Sequence, residues 1–209
     1  MNILLADDHA ILRQGLINIL AKEFPKAVFG EVETARATME QVRKSAWDVL
    51  ILDVTMPGRS GLDVLKEIKQ RQPKLPVLVL SMHSEDQYGV RVLQAGAHGF
   101  ITKVRAPAEL VQAVKTVLTG AKYISPTVAD SLASYVGPGR NKPPHERLSS
   151  REFEILRMIG SGQTIKAIAA DLSISVQTVS THRARMLKKM GLFTTSSLIR
   201  YAIENELVD

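Results

Sequence analysis

Short apolar segments alternate with longer segments of helical periodicity through the first 120 residues of the chain. The central positions of the short segments are apolar almost without interruption, which is typical of strands that helices cover on both faces. This alternation predicts five βα units around a parallel sheet, with Gly and Pro between the elements. The predicted strands are Asn2–Ala6, Ala27–Val32, Val49–Asp53, Val77–Ser81 and Gly99–Thr102. The predicted helices are Ala10–Glu23, Ala35–Lys44, Gly61–Gln72, Glu85–Ala95 and Ala106–Thr119.

The pattern changes in the rest of the chain. A single helix is predicted at Pro126–Tyr135, and the Gly- and Pro-rich segment 136–144 after it indicates a flexible or extended hinge. Beyond the hinge the periodicity is wholly helical. The four helices predicted there lie near 149–160, 164–172, 176–190 and 196–207. We therefore predict a first domain, a linker with one helix and a second domain, at 1–120, 121–147 and 148–209.

Composition excludes several classes of protein. The chain has no cysteine, so it has neither disulfide bonds nor a thiolate zinc site. Its first residues lack the basic and long apolar segments of a signal peptide, and its apolar runs fall short of the ~20 residues that a membrane helix needs. We therefore expect a cytoplasmic protein with no membrane partner.

The net charge of +6 is concentrated in the C-terminal part of the chain. Residues 1–120 contain 15 Lys or Arg and 13 Asp or Glu, whereas residues 121–209 contain 12 and 8. Five basic residues and no acidic residue lie between Leu172 and Ile203. A block of one sign fits a solvated helix face, but it also fits a surface that binds nucleic-acid phosphates.

Three carboxylates are predicted at one edge of the sheet. Asp7 and Asp8 follow the first strand and Asp53 ends the third, and parallel α/β sheets bind ligands at the carboxyl ends of their strands. A cluster of like charges is costly unless a cation joins it, and carboxylate oxygens suit Mg²⁺. Ser81 ends the fourth strand and Lys103 follows the fifth, which adds a hydroxyl and an ammonium group. These groups suit phosphoryl transfer to the Asp53 carboxylate.

Four segments of the first domain resemble a known family. They are Asp-Asp-His at 7–9, Asp-Val-Thr-Met-Pro-Gly-Arg-Ser-Gly at 53–61, Ser-Met-His at 81–83 and Gly-Ala-His-Gly-Phe-Ile-Thr-Lys at 96–103. Their combination and spacing resemble the receiver domain of two-component response regulators over essentially all of residues 1–120. The resemblance implies a doubly wound α/β fold of the flavodoxin or CheY type with five parallel strands.

The resemblance also implies a role for each matching residue. Asp53 would be the phosphoacceptor, and a sensor histidine kinase would supply the phosphoryl group. The Mg²⁺ ligands would be Asp7, Asp8, Asp53 and the backbone carbonyl of Thr55. Lys103 and Ser81 would contact phosphoryl oxygens, and Ser81 with Phe100 resembles the pair that changes position on phosphorylation.

The second domain contains a helix, a tight turn and a second helix. The buried stripe of the second helix is predicted to be Val179, Met186, Leu187 and Met190. A resemblance to the LuxR-type helix-turn-helix is carried by segments 148–156, 160–162, 166–169, 172–175, 178–182 and 188–191. Together with a receiver, this domain resembles the NarL/FixJ subfamily. The resemblance implies a small all-α domain of four helices that binds double-stranded promoter DNA, in a chain that forms a phosphorylation-dependent homodimer.

The N-terminal part of the second helix of a helix-turn-helix enters the major groove. The residues expected to face base edges are Ser180, Thr181 and Ala184. The residues expected at phosphates, where contacts position the protein without specifying sequence, are Thr164, Lys166, Gln177, Thr178, His182, Arg183, Lys188 and Lys189. Ala167 and Ser180 stand where the family usually has glutamate and frequently has lysine, so the family's target sequence does not carry over.

Three functions fit parts of this sequence pattern. The main prediction is a transcription regulator, not an enzyme, in which phosphorylation of Asp53 controls dimerisation or release of the DNA-binding domain. A phosphatase of the haloacid dehalogenase type also forms an aspartyl phosphate, but it has a second catalytic acid two residues after the nucleophile, where this chain has Thr55. The third function is DNA binding with a receiver that is never phosphorylated, and the complete acidic set argues against it.

Overall fold

The computed structural model of the chain describes residues 1–56, 59–82, 85–136 and 143–208. The chain divides into two compact units, Met1–Gly137 and Pro138–Asp209. Most of the predicted hinge, residues 137–142, lies outside the described residues, so the linker assignment of 121–147 stays a prediction.

Strands and helices alternate along the first unit. The strands are β1 (Asn2–Ala6), β2 (Val28–Val32), β3 (Val49–Asp53), β4 (Val77–Ser81) and β5 (Gly99–Thr102). The helices are α1 (Ala10–Glu23), α2 (Ala35–Lys44), α3 (Gly61–Arg71), α4 (Glu85–Gln94), α5 (Ala106–Leu118) and α6 (Pro126–Val136). All strand pairs are parallel, in the order β2-β1-β3-β4-β5. The predicted doubly wound five-stranded fold is confirmed, with element boundaries within one residue of those predicted.

Helices cover both faces of this sheet. Helix α1 packs with α5, and α2 packs with α3. Every residue of β3 and β4 is buried, which explains why these strands are apolar up to the polar residue that ends each of them. The order of the strands reverses between β1 and β3, and such a reversal opens a ligand-binding crevice at the carboxyl ends of the two strands.

A glycine fixes the chain next to this crevice. A Cβ atom on Gly61 would lie 2.5 Å from the backbone oxygen of Asp53 and from Val54 Cα, so only glycine lets α3 begin directly against the end of β3. The backbone N–H of Gly61 donates to the Val54 carbonyl at 3.0 Å. The end of β3, with Asp53, is therefore held in place by the start of α3.

Helix α6, which we predicted within the linker, packs against α4 of the first unit. The chain reaches it along the edge of the sheet, where Tyr123 donates its backbone N–H to His98 at 2.8 Å and forms a parallel bridge with Gly99. Val128 of α6 is buried against Gly89, where a Cβ atom would lie 2.5 Å from Val128 Cγ2. Gly89 thus permits the close approach of the two helices.

The second unit is entirely helical in its described residues. A 3-10 helix at Pro144–Arg147, which the sequence pattern did not predict, precedes α7 (Ser150–Gly160), α8 (Ile165–Asp171), α9 (Val176–Met190) and α10 (Thr195–Glu204). The four predicted helices are confirmed. Side chains cap α8 and α9: Thr164 accepts from the Ala167 N–H at 3.2 Å, and Ser175 accepts from the Thr178 N–H at 3.0 Å.

The last helix is shorter than predicted, because it ends at Glu204 and not near Leu207. The chain leaves the helix through Glu206, whose φ of 53° is in the left-handed region. The Leu207 N–H then donates to the Ala202 carbonyl at 2.8 Å, and the Leu207 carbonyl accepts from Arg157 Nε at 2.7 Å. The apolar Leu207 is buried by this reversal, so helical periodicity alone gave the wrong end.

Candidate functional sites

The acidic residues predicted at the edge of the sheet lie together in the structure. Asp7 directly follows β1, and Asp53 ends β3. These two strands are neighbours in the sheet, since Ala6 of β1 pairs with Leu52 of β3. Both residues are buried, at 2% and 0% exposure, whereas the Asp8 side chain is 28% exposed. Ligand atoms of Asp7, Asp8, His9 and Asp53 all lie within 4.8 Å of one another. This group of residues is called the acidic site below.

Lys103 provides the cation that faces the acidic site. Its Nζ lies 2.7 Å from Asp53 Oδ2 and 2.9 Å from Asp7 Oδ2, and the residue is 6% exposed. The loop that carries it is fixed because its N–H donates to the Ser81 carbonyl at 2.7 Å. Burial acts to lower the pKa of Lys103, but the two aspartates outweigh it and the pKa is raised.

Asp53 has an unusual pKa for an aspartate. Burial raises its pKa from 3.8 to about 6, although Lys103 and the Thr55 N–H both act to lower it. The Thr55 N–H donates to Asp53 Oδ1 at 2.9 Å, which fixes the orientation of the carboxylate. The predicted role of the Thr55 carbonyl as a metal ligand stays a prediction.

The two residues of the predicted switch are both buried. Ser81 is 0% exposed and ends β4, directly beside β3, while Phe100 is 2% exposed within β5. Ser81 pairs with Thr102, so Ser81 and Lys103 reach the same edge of the sheet as Asp53. The structure therefore brings together the five residues predicted from strand ends.

His9 lies in the same place, but we did not assign it a role from the sequence. Its Nδ1 lies 2.8 Å from Asp8 Oδ1, 3.1 Å from Asp7 Oδ1 and 3.4 Å from Lys103 Nζ. Its position directly after two aspartates was the available signal. We also assigned no role to Arg13 of α1 from the sequence, because an arginine inside an amphipathic helix is usually a surface residue. In the structure Arg13 is buried.

The predicted DNA-facing residues are distributed unevenly over the second unit. Most of them are exposed, namely Thr164, Lys166, Gln177, Thr178, Thr181, Ala184, Lys188 and Lys189. The others, Ser180, His182 and Arg183, are half-buried. Val179, Met186 and Met190 form the buried face of α9, while Leu187 is half-buried. The start of α9 thus presents a polar and basic surface on the side away from its core.

Some of these side chains are engaged within the unit itself. Lys189 Nζ lies 2.5 Å from Oε2 of Glu152, a buried residue that forms a capping box with Ser149 at the start of α7. Burial acts to raise the pKa of Glu152, but Lys189 and Ser149 outweigh it and the pKa is lowered. Arg183 Nη1 donates to Thr195 Oγ1 at 3.2 Å. Lys189 therefore has a structural partner that Lys188 does not share.

His182 is less accessible than a surface histidine. Burial lowers the pKa of His182, and the basic neighbours Arg151, Arg185 and Lys189 act in the same direction, while Glu152 opposes them. Burial and these basic neighbours therefore favour the neutral imidazole over the charged form.

In the part of the chain that the structure describes, no helix is both long enough and apolar enough to cross a membrane.

Known proteins match both units. A family model described as the response regulator receiver domain matches residues 3–115, and one described as bacterial regulatory proteins of the luxR family matches residues 146–202. Response regulator UvrY of Escherichia coli K12 is 34% identical over 208 residues, which are 99% of this chain and 95% of UvrY. Response regulator GacA of Pseudomonas viridiflava is 34% identical over 210 residues, which cover 100% of this chain and 98% of GacA.

Solved structures of the response regulator RcsB are similar to the whole chain. One from Salmonella typhimurium has a TM-score of 0.59 at 30% identity, with 96% of this chain and 97% of the RcsB chain covered. A complex of RcsB with DNA has a TM-score of 0.59 at 29% identity, with 96% of both chains covered.

Proposed function

The chain belongs to the two-component response regulators, with a receiver domain joined to a LuxR-type DNA-binding domain, and we propose that phosphorylation of Asp53 switches it. The observation that carries the proposal is the Asp53 carboxylate, which is fully buried beside Asp7 and 2.7 Å from Lys103 Nζ. Burying two carboxylates against one ammonium group is costly for stability. Such an arrangement is expected where a reaction uses it.

The proposed reaction transfers a phosphoryl group from a phosphohistidine of a sensor histidine kinase. An oxygen of Asp53 attacks phosphorus, a P–O bond forms, and the bond from phosphorus to the imidazole nitrogen breaks with the electron pair leaving on nitrogen. The Thr55 N–H holds one carboxylate oxygen, which leaves the other to react. Lys103 stabilises the negative charge of the phosphoryl oxygens because its ammonium group already faces Asp53.

A Mg²⁺ ion fits the acidic site. Asp7, Asp8 and Asp53 supply three carboxylates against the single ammonium group of Lys103, so the site keeps an excess of negative charge. Asp8 is the most exposed of the three carboxylates, which suits a hard, partly hydrated cation. With the carbonyl of Thr55, these are the ligands that we propose. Bound Mg²⁺ supplies neutralisation of charge on the transferred phosphoryl group.

Ser81 and Phe100 are the proposed switch residues. Ser81 lies at the end of the strand next to Asp53, so its hydroxyl can donate to a phosphoryl oxygen after a short movement. Phe100 is buried in β5, the strand that pairs with β4, and we propose that it changes position together with Ser81.

The route to the linker that we propose passes through Glu85, the first residue of α4. Arg105 Nη1, two residues after Lys103, lies 2.7 Å from Glu85 Oε1, and the Ser125 hydroxyl donates to Glu85 Oε2. Ser125 precedes α6 and accepts from the Val128 N–H at 3.3 Å. A movement of Lys103 toward a phosphoryl group would therefore act, through Arg105, on the residue that anchors α6 to α4.

We propose that α9 enters the major groove of double-stranded promoter DNA. Ser180, Thr181 and Ala184 face the bases in this proposal, and the remaining predicted residues contact phosphates. The similar protein RcsB has been solved bound to DNA, as two dimers on two DNAs, and on promoter DNA with the phosphomimetic BeF₃⁻. By analogy, this chain binds DNA as a homodimer that phosphorylation favours.

Three further assignments complete the proposal. The receiver domain spans residues 1–120, the linker 121–147 and the DNA-binding domain 148–209. The chain is a regulator and not a phosphatase, because Thr55 stands where the dehalogenase type of phosphatase has its second acid. It acts in the cytoplasm, where bacterial promoter DNA is.

Phosphate incorporation tests this proposal. The full chain is incubated with acetyl phosphate and Mg²⁺, and its intact mass is recorded against Asp53→Ala and against an EDTA control. We expect one phosphoryl group on the wild type with Mg²⁺ and none on the variant or with EDTA. Equal incorporation by Asp53→Ala would contradict the assignment of the phosphoacceptor.

A further inference from the structure

We propose that Arg13 of α1 is a positioning residue for the metal ligands of the acidic site, an inference that rests on the proposed Mg²⁺ site. Its side chain is only 8% exposed, and its guanidinium donates to three acceptors in two segments of the chain. Nη1 donates to the Asp7 carbonyl at 2.6 Å, Nε to Glu31 Oε2 at 2.7 Å and Nη2 to Glu33 Oε1 at 2.9 Å. Arg13 thus ties the loop after β1 to the end of β2.

These contacts fix the backbone from which the side chain of Asp8 extends. The Asp7 N–H donates to the Val32 carbonyl at 3.1 Å, while the Asp7 carbonyl accepts from Arg13. The Asp7 carbonyl belongs to the peptide plane that leads into Asp8, and a peptide unit is rigid. Holding that oxygen therefore limits where the Asp8 carboxylate can lie relative to Asp53.

The charge of Arg13 does not oppose a cation in the acidic site. Glu31 and Glu33 both pair with the guanidinium and raise its pKa, although burial acts to lower it. Since two carboxylates surround one guanidinium, this group of three residues carries no net positive charge. Arg13 therefore supplies geometry without repelling Mg²⁺.

Two substitutions separate geometry from charge, because a positioning role and a purely electrostatic role predict different results for them. Arg13→Gln removes a positive charge near the site, so a purely electrostatic role predicts tighter Mg²⁺ binding. A positioning role predicts weaker binding, because the hold on the Asp7 carbonyl is lost. Arg13→Lys keeps the charge but cannot reproduce three donations from one planar group, so positioning predicts weaker binding here too.

The test is calorimetric titration of the full chain with Mg²⁺ alone. We expect the Kd for Mg²⁺ to rise about tenfold for Arg13→Gln and Arg13→Lys. This is a usual effect of replacing a residue that orients metal ligands through hydrogen bonds. Arg36→Gln is the matched control, because Arg36 is 90% exposed and pairs with Glu40 on the surface of α2. Its Kd is expected to equal that of the wild type.

A second readout separates positioning from a general loss of structure. Phosphate incorporation from acetyl phosphate is measured against Mg²⁺ concentration, and we expect the Arg13 variants to need more Mg²⁺ but to approach the wild-type rate at saturation. If the Arg13 variants do not fold, Glu33→Gln loosens the same group from a position that is 62% exposed, and a smaller rise in Kd is expected.

The outcomes are distinct. Arg13 variants that are folded and bind Mg²⁺ as tightly as the wild type, or more tightly, would overturn the positioning role while the acidic site stands. A wild-type chain that does not bind Mg²⁺ would overturn the proposed metal site, and this inference with it.

Discussion

The acidic site and the exposed face of α9 use polar side chains in opposite ways. At the acidic site Asp7, Asp53 and Lys103 are buried, and Lys103 forms an ion pair with each aspartate. Their geometry therefore exists before any partner binds. On α9 most of the corresponding side chains are exposed, and DNA is the partner that we propose for them. Burial therefore organises the side chains of a site that carries out chemistry. A recognition surface instead depends on the polar side chains that stay exposed to a partner.

The largest expected effect comes from removing the cation of the acidic site. Lys103→Ala leaves Asp7 and Asp53 without their ammonium partner and removes the group that faces the phosphoryl oxygens, so phosphate incorporation is expected to slow by ~100- to 1000-fold. The rate is measured by intact mass with acetyl phosphate and Mg²⁺. Lys115→Ala, at a half-exposed ion pair with Glu23, serves as control and is expected to react at the wild-type rate. Equal rates for all three proteins would show that burial of Lys103 is structural only.

The pH dependence of stability tests the burial of Asp53. Its pKa is about 6 in the folded chain against an ordinary 3.8, so folding favours the protonated form. The stabilising contribution is complete below pH 3.8, is lost as the pH rises through 6, and differs by about 3 kcal/mol across that range. In Mg²⁺-free buffer we expect the stability of the wild type relative to Asp53→Asn to increase by most of this amount as the pH falls from about 7 to 4.

Trp47 makes this measurement specific to the receiver. It is the single tryptophan of the chain and packs over Gly30 of β2, where a Cβ atom would lie 2.2 Å from its ring. Urea unfolding followed by its fluorescence therefore reports the free energy of unfolding of the first unit. A difference between wild type and Asp53→Asn that does not change with pH would contradict the raised pKa.

Two neighbouring lysines sharpen the comparison on α9. Lys188→Ala is expected to weaken DNA binding for all sequences and to flatten the salt dependence of binding by ~1 unit, because it removes one phosphate contact. Lys189→Ala leaves the buried Glu152 without its cation, so we expect it to destabilise the second unit by about 1 kcal/mol and to change the salt slope less. Titrations with a DNA duplex at several salt concentrations and scanning calorimetry separate the two effects. Identical salt slopes for the two variants would contradict this difference and would indicate that Lys188 and Lys189 contact phosphates equally.

The smallest effect is expected at the anchor of α6. Ser125→Ala removes the hydroxyl that donates to Glu85 and caps the helix, so amide hydrogen exchange in α6 should accelerate about fivefold, as for a lost cap of ~1 kcal/mol. Ser131→Ala is the matched control within α6, because its hydroxyl bonds only locally to the Thr127 carbonyl at 3.0 Å. Exchange that is unchanged by Ser125→Ala would contradict the anchoring role of Glu85.

The parts of the molecule that could be predicted follow from local rules. Uninterrupted apolar segments indicated buried parallel strands, and the polar residue at the end of each strand then had to lie at one edge of the sheet. Asp53, Ser81 and Lys103 were found in this way.

The contacts that were missed depend on how distant segments cross. Lys189 meets Glu152 because α7 and α9 pack together, and the two residues are 37 positions apart in sequence. The packing of α6 on α4 depends on the missing side chain of Gly89, and the burial of Arg13 depends on three acceptors in two other segments. Periodicity within one element carries no information about such contacts.

The central claim is that phosphate on Asp53 controls the DNA-binding surface of α9. The direct measurement is the affinity of the full chain for a duplex that the chain itself selects from a random-sequence pool, with and without acetyl phosphate in the presence of Mg²⁺. We expect the phosphodonor to tighten DNA binding by the wild type at least ~10-fold, within the range of typical coupling energies, and to leave the affinity of Asp53→Ala unchanged. Equal affinity of the wild type with and without phosphate on Asp53, verified by mass, would contradict it.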